Sequence, residues 1–136
     1  MKLWQKGAAA HERVDHFTLG KVREYDLVLA EYDCQASIAH ANMLAKIGLI
    51  SPKEAEQLTT ELSKIQQQAK AGNFTIEAAF EDMHSKIEHM LIERLGDVGK
   101  KIHTARSRND QVLVAMHLYL KHELGEIKSQ LIALFD

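Results

Sequence analysis

The sequence contains few of the residues that interrupt helices or cross-link chains. Its 136 residues include seven glycines, one proline and one cysteine. The lone cysteine, Cys34, excludes an internal disulfide framework and is typical of a reducing compartment, so we expect a cytoplasmic protein. No apolar run approaches the roughly 20 residues of a membrane span, so no membrane partner is expected. The net charge of -2 provides no general attraction to nucleic acid or to an anionic membrane.

Apolar residues recur at helical spacing along most of the chain, which predicts an all-α protein. We predict a first long helix over 25–47 and a second helix that begins with a capping box, Ser51-Pro52-Lys53-Glu54. A third helix is predicted over 81–95. The first twenty or so residues lack such a pattern, so we expect an irregular segment there.

The last predicted helix, which begins near Asn109, is longer and more apolar than the others. One stripe of apolar residues repeats in three- and four-residue steps to the end of the sequence. Its members are Leu113, Met116, Leu120, Leu124, Ile127, Leu131 and Leu134. Apolar neighbours widen this face, so the helix is expected to need partners on several sides, as in a bundle. No helix stop precedes Asp136, so we expect the first part of a longer, truncated helix.

The segment that precedes this helix, residues 100–110, concentrates positive charge and is called the basic loop below. Its basic or potentially basic side chains are Lys100, Lys101, His103, Arg106 and Arg108. Ser107, Asn109 and Asp110 are residue types that commonly cap helices. The free N–H groups and the positive dipole end of the helix would therefore face the basic side chains, which predicts an anion-binding site. The charge pattern does not name the anion.

The residue string itself is more specific. Residues 103–112 resemble the signature His-Thr-Gly-Arg-Ser-Arg-Asn-Asp-Gln-Val of the argininosuccinate lyase family, with Ala105 in place of glycine. Residues 81–85 resemble the family's Glu-Asp-Ile-His motif, and residues 45–50 resemble the turn after its first long helix. The likeness extends over almost the whole chain, although full-length members of the family are much longer.

The resemblance implies the aspartase/fumarase fold, in which a small helical amino-terminal domain precedes a domain of very long helices. By this likeness, residues 1–106 form the amino-terminal domain and residues 107–136 the start of the first long helix of the central bundle. The resemblance also implies a homotetramer that pools its long helices, with each active site built from three subunits.

The implied reaction is the reversible β-elimination of argininosuccinate to arginine and fumarate in arginine biosynthesis, without a metal or other cofactor. By the same likeness, the substrate-binding residues are Thr18, Thr104, Ser107, Arg108, Asn109 and Asp110. Thr18 would stand in for the family's amino-terminal substrate-contacting serine, and Asp82 with His84 would orient the site. The family's proton-transferring histidine and serine segments have no counterpart here, so we expect the chain alone to be inactive.

Other classes of protein fit parts of the pattern. A helical oligomerisation or interaction module explains the apolar stripe but leaves residues 107–110 unexplained. A nucleic-acid module could use Arg106 and Arg108 on phosphates, but the acidic net charge and the absence of interleaved aromatic residues oppose it. Another fumarate-releasing lyase of the superfamily is a further alternative. His84 and His89 are five residues apart and share a helix face poorly, which argues against a metal site.

Overall fold

The computed structural model describes residues 12–135, apart from the side chains of Glu12, Asp15 and His16. Its helices are α1 (Glu12–Leu19), α2 (Val22–Lys46), α3 (Pro52–Lys70), α4 (Met83–Leu95), α5 (Asp97–Lys100) and α6 (Arg108–Phe135). A single 3₁₀ turn, Lys101–His103, follows α5. The described part of the chain contains no β-strand, so the prediction of an all-α fold is confirmed.

The predicted helix starts agree closely with the structure. The capping box at the start of α3 is confirmed, because the Ser51 amide donates to Glu54 at 2.8 Å and the Glu54 amide donates to the Ser51 hydroxyl at 3.2 Å. The prediction of an irregular first segment is wrong for Glu12–Leu19, which form α1. Val14 and Phe17 of this helix are exposed, so its apolar residues do not follow one buried stripe. Residues 1–11 lie outside the described part.

Helix α2 lies at the centre of the fold and packs against α3, α4 and α6. The largest fully buried apolar side chains come from α2, α3, α4 and the 3₁₀ turn, and each is no more than 1% exposed. They are Leu44, Leu58, Leu62, Ile65, Met83, Leu91 and Ile102. Cys34 of α2 is fully buried among them, and burial raises the pKa of its thiol well above the usual range, which makes it unreactive.

Two carboxylates satisfy the amino-terminal end of α4. The Asp82 side chain accepts a hydrogen bond from the Ser85 amide at 2.7 Å, as an N-cap residue does. Asp26, which lies on α2, accepts a hydrogen bond from the Met83 amide at 3.0 Å. The carboxylate from α2 therefore fixes where α4 begins, and with it the positions of the side chains in the first turn of α4.

Helix α6 runs without interruption from Arg108 to Phe135, which confirms the prediction of a continuous helix through Leu113–Leu131. It packs against α2, and its buried residues are Gln111 and Ala115. Most of its apolar stripe is exposed, with Leu124 at 64% and Leu134 at 75%. No helix in the described part of the chain is long and apolar enough to cross a membrane.

Gly99 sets the distance between α5 and α4. A Cβ atom at this position would lie 2.4 Å from the carbonyl oxygen of Leu91, which is backbone and cannot rotate away. We expect Gly99→Ala to lower the free energy of unfolding by about 1–3 kcal/mol through overpacking. Gly125→Ala in α6 is the matched control, because nothing lies within 4 Å of the added atom.

The control should raise the free energy of unfolding by about 1 kcal/mol, since alanine favours a helix interior over glycine. Urea unfolding monitored by circular dichroism measures both variants. A Gly99→Ala protein as stable as the parent would show that α5 does not need this close approach.

Candidate anion-binding site

The basic loop is anchored in the core and ends in a capped helix. Ile102 is 1% exposed and anchors the loop in the core, and the polar residues from His103 onward follow it. The Asp110 amide donates to the Ser107 hydroxyl at 3.2 Å, and the Ser107 amide donates to the Asp110 carboxylate at 2.8 Å. This reciprocal pair begins α6 at Arg108 and leaves Asn109 exposed in the first turn. The hydrogen bonds from Ser107 lower the pKa of Asp110 and keep it ionised.

Ala105 occupies a backbone conformation that favours glycine. Its φ angle is 54°, and among the non-glycine residues that the structure describes it alone has a positive φ. For alanine, the left-handed region costs about 1–2 kcal/mol because Cβ crowds the following carbonyl oxygen. Ala105 stands where the resembling signature has glycine, so the difference introduces strain into the basic loop.

Ala105→Gly should therefore stabilise the protein by about 0.5–1 kcal/mol, after the entropy that glycine adds to the unfolded chain is subtracted. The comparison variant is Ala39→Gly, at an exposed position inside α2, which should destabilise by about 1 kcal/mol. Thermal unfolding of the two variants measures the difference in sign. A loss of stability in both would show that position 105 carries no strain.

Arg108 is fixed by neighbours on two helices. Its Nη1 donates to Glu88 Oε1 at 2.9 Å and to Gln111 Oε1 at 2.7 Å. Its Nε lies 3.8 Å from Asp82 Oδ2. Nε and Nη2 form the edge that can bind a carboxylate side-on, and they donate no hydrogen bond to any described residue, although Asp82 is near Nε. The guanidinium of Arg108 is therefore held in one orientation at the start of α6.

The other basic side chains of the loop have their own partners. Lys100 pairs with Asp97, and Lys101 pairs with Glu54 of the α3 capping box. The hydrogen bond from Lys101, followed by those from Ser51, lowers the pKa of Glu54 to about 2. His103 Nδ1 lies 3.3 Å from Glu88 Oε1, the oxygen that also accepts from Arg108.

Arg106 turns inward rather than toward Arg108. Its Nη1 donates to the Ser37 hydroxyl of α2 at 3.0 Å. The five basic side chains therefore do not form a single uncompensated positive patch. Four of them pair with carboxylates, and Arg106 donates to Ser37 instead.

His84 forms a buried pair with Asp33 rather than with Asp82. Its Nδ1 lies 3.1 Å from Asp33 Oδ1, at ion-pair distance but without hydrogen-bond alignment. Both side chains are at most 2% exposed. The sequence interpretation missed Asp33, although Asp33 and Ser37 lie four residues apart, among the alanines of the inner face of α2. Two polar residues on an otherwise apolar helical face were the pattern that could have indicated a buried polar cluster.

The remaining predicted residues lie on different elements. Asp82 caps α4 and reaches Arg108, so the structure brings these two together. The Thr104 carbonyl oxygen accepts a hydrogen bond from His40 Nε2 at 2.9 Å. Thr18 lies on α1, where its hydroxyl donates to the Val14 carbonyl oxygen at 2.8 Å. No group of three or more potential metal-ligating side chains occurs within the described residues.

The chain that carries this capped basic loop also matches a known protein family. The family model described as "Lyase" matches residues 7–136, and the chain belongs to this lyase family. The chain is 49% identical, over 134 residues, to the argininosuccinate lyase of Phocaeicola vulgatus, an alignment that covers 98% of this chain and 30% of the relative.

Relatives from two other organisms give similar values. Identity to the argininosuccinate lyase of Thermotoga neapolitana is 43% over 133 residues, which covers 98% of this chain and 33% of the relative. Identity to that of Synechocystis is 52% over 107 residues, or 79% of this chain and 23% of the relative. The chain thus spans about a third or less of the length of these relatives. The resemblance read from residues 103–112 is confirmed.

Proposed function

We propose that this chain is the amino-terminal, substrate-binding portion of a cytoplasmic argininosuccinate lyase, which cleaves argininosuccinate to arginine and fumarate in arginine biosynthesis. The observation that carries the proposal is the placement of Arg108 beside the capped start of α6, where Glu88 and Gln111 orient its guanidinium and Asp82 lies 3.8 Å from Nε. The identity of the substrate is inferred from the relatives, which are named argininosuccinate lyases and are 43–52% identical to this chain over the aligned residues.

The site supplies fixed donors for a developing negative charge. In a β-elimination, a base removes a proton from the carbon beside a carboxylate, and negative charge builds up on that carboxylate as the leaving nitrogen departs. Arg108, the Asn109 amide and the first N–H groups of α6 would hold that carboxylate. Ser107 and Asp110 act here by capping the helix, while Asp82 and His84 support the site from α4.

Proton transfer would be carried out by segments of the enzyme that are not among these 136 residues. Donors that hold an anion do not remove a carbon-bound proton, so the chain alone should release no fumarate. A hybrid in which this chain replaces the matching 134-residue segment of the Phocaeicola vulgatus enzyme should be active. An inactive but folded tetrameric hybrid would contradict the proposal.

In the active hybrid, Asn109→Ala should lower kcat/KM by about 30- to 1,000-fold, as for loss of one preorganised donor worth about 2–4 kcal/mol. Arg108→Lys should also reduce it, because an ammonium group cannot reproduce the bidentate edge of a guanidinium. Steady-state fumarate release measures both. The matched controls are Asn42→Ala on the exposed side of α2 and Arg94→Lys, which pairs with Glu61.

Both controls should keep kcat/KM within about twofold of the parent. Asn42 is exposed, and the Arg94–Glu61 pair lies near the surface, where ion pairs contribute little free energy. Full activity in Asn109→Ala or Arg108→Lys, with the fold intact, would remove that residue from the site.

Assembly is the other part of the proposal. Residues 1–106 form the amino-terminal domain, and residues 107–136 begin a helix of a four-subunit bundle. Leu113, Leu124 and Ile127 of α6 are each more than half exposed, a larger apolar surface than a monomer usually presents. The homotetramer would bury this face against the equivalent helices of other subunits.

The isolated chain should consequently self-associate through α6 at tens of micromolar, as measured by sedimentation velocity. The double variant Leu124→Glu/Ile127→Glu should sediment as a monomer, because charges on the apolar face oppose its burial. Leu49→Glu, at an exposed leucine outside α6, is the control and should still associate. A monodisperse monomer of the parent chain would contradict the expectation.

A further inference from the structure

Three polar residues share one face of α2, and two of them, Ser37 and His40, contact the basic loop. Asp33, Ser37 and His40 follow one another in steps of four and three residues, so their side chains lie along one side of the helix. Asp33 and Ser37 are at most 1% exposed, and His40 is partly buried. Polar side chains at such positions are costly unless they bond to something.

The first contact is between Ser37 and Arg106. The Ser37 hydroxyl accepts a hydrogen bond from Arg106 Nη1 at 3.0 Å. Arg106 Nε and Nη2 are also buried, and no described residue accepts a hydrogen bond from them. Burial lowers the pKa of Arg106, and among the neighbouring charges Asp33 opposes this fall most strongly. Ser37 therefore holds Arg106 through one nitrogen, and Arg106 and His40 both line a cavity between α2 and the start of α6.

The second contact is between His40 and Thr104. His40 Nε2 lies 2.9 Å from the Thr104 carbonyl oxygen, and because a carbonyl only accepts, Nε2 carries the hydrogen. The basic loop is thus attached to α2 at residues 104 and 106, on either side of Ala105. The strained φ of Ala105 persists because both of its neighbours are held.

We infer that Ser37 and His40 are positioning residues, which place Arg108 and Asn109 through Arg106 and Thr104, and that Arg106 tethers the loop to α2. The catalytic consequence rests on the proposed function, whereas the mechanical consequence does not. Loss of either contact should release Ala105 from its left-handed conformation and loosen the loop two residues before Arg108.

Hydrogen–deuterium exchange on the full 136-residue chain tests the mechanical part. The reporting amides are those of Thr104, Asp110 and Gln111, which bond within the loop and its cap. His40→Leu and Arg106→Lys should each accelerate exchange at these amides by about tenfold or more, because local opening then costs less. Exchange in α3 should remain unchanged.

Two further variants separate positioning from general destabilisation. His40→Gln keeps a side-chain N–H donor and should return loop exchange to near the parent rate. Gln35→Leu, at an exposed position on α2, is the control and should leave it unchanged. Equal acceleration in the loop and in α3, or no acceleration in the loop, would overturn the inference.

The active hybrid enzyme tests the catalytic part. His40→Leu should lower kcat/KM by about ten- to a hundredfold through misplaced donors, and His40→Gln should recover most of it. A fall in activity without faster loop exchange would overturn the positioning role. If the parent hybrid is inactive, the proposed function fails, while the exchange rates still decide whether α2 holds the loop.

Discussion

Helix α2 buries side chains against α3, α4 and α6 at once, and it also bonds to the start of α4 and to the loop that precedes α6. Asp26 sets the first turn of α4, so it determines where Asp82 and His84 lie. Ser37 and His40 hold the loop that leads into α6. Because one helix carries these contacts, a shift of α2 would displace both the start of α4, where Asp82 lies, and the loop that leads to Arg108.

Charge compensation shapes the site as much as positive charge does. Arg108 bonds to Glu88 and lies near Asp82, and His103 shares the same Glu88 oxygen. A site of mixed sign attracts a simple anion less strongly than five free cations would. It suits a ligand that carries carboxylates together with a cationic group, which is the chemical character of the proposed substrate.

Local features of the fold could be predicted from the sequence because their causes are local. The Ser51–Glu54 capping box spans three residues, and the stripe on α6 repeats within each turn. The string at residues 103–112 located the candidate site without any structural information. Helix α1 was missed because most of its apolar side chains are exposed and leave no buried stripe.

The contacts that orient the site could not be predicted, because they join distant residues. Arg106 and Ser37 are 69 residues apart, His40 and Thr104 are 64 apart, and Lys101 and Glu54 are 47 apart. Each depends on how α2 and α3 pack, which periodicity does not specify. The inward turn of Arg106 is one consequence, since the charge pattern of the basic loop does not show which arginine turns toward α2.

The length of α6 places its two ends far apart. Its 28 residues span about 42 Å, with the candidate site at one end and exposed leucines along the remainder. Substitutions near Leu134 are therefore far from Arg108 and leave its chemistry untouched. In the proposed assembly, the surface for subunit contact is thus separate from the candidate site, and the two could diverge independently between organisms.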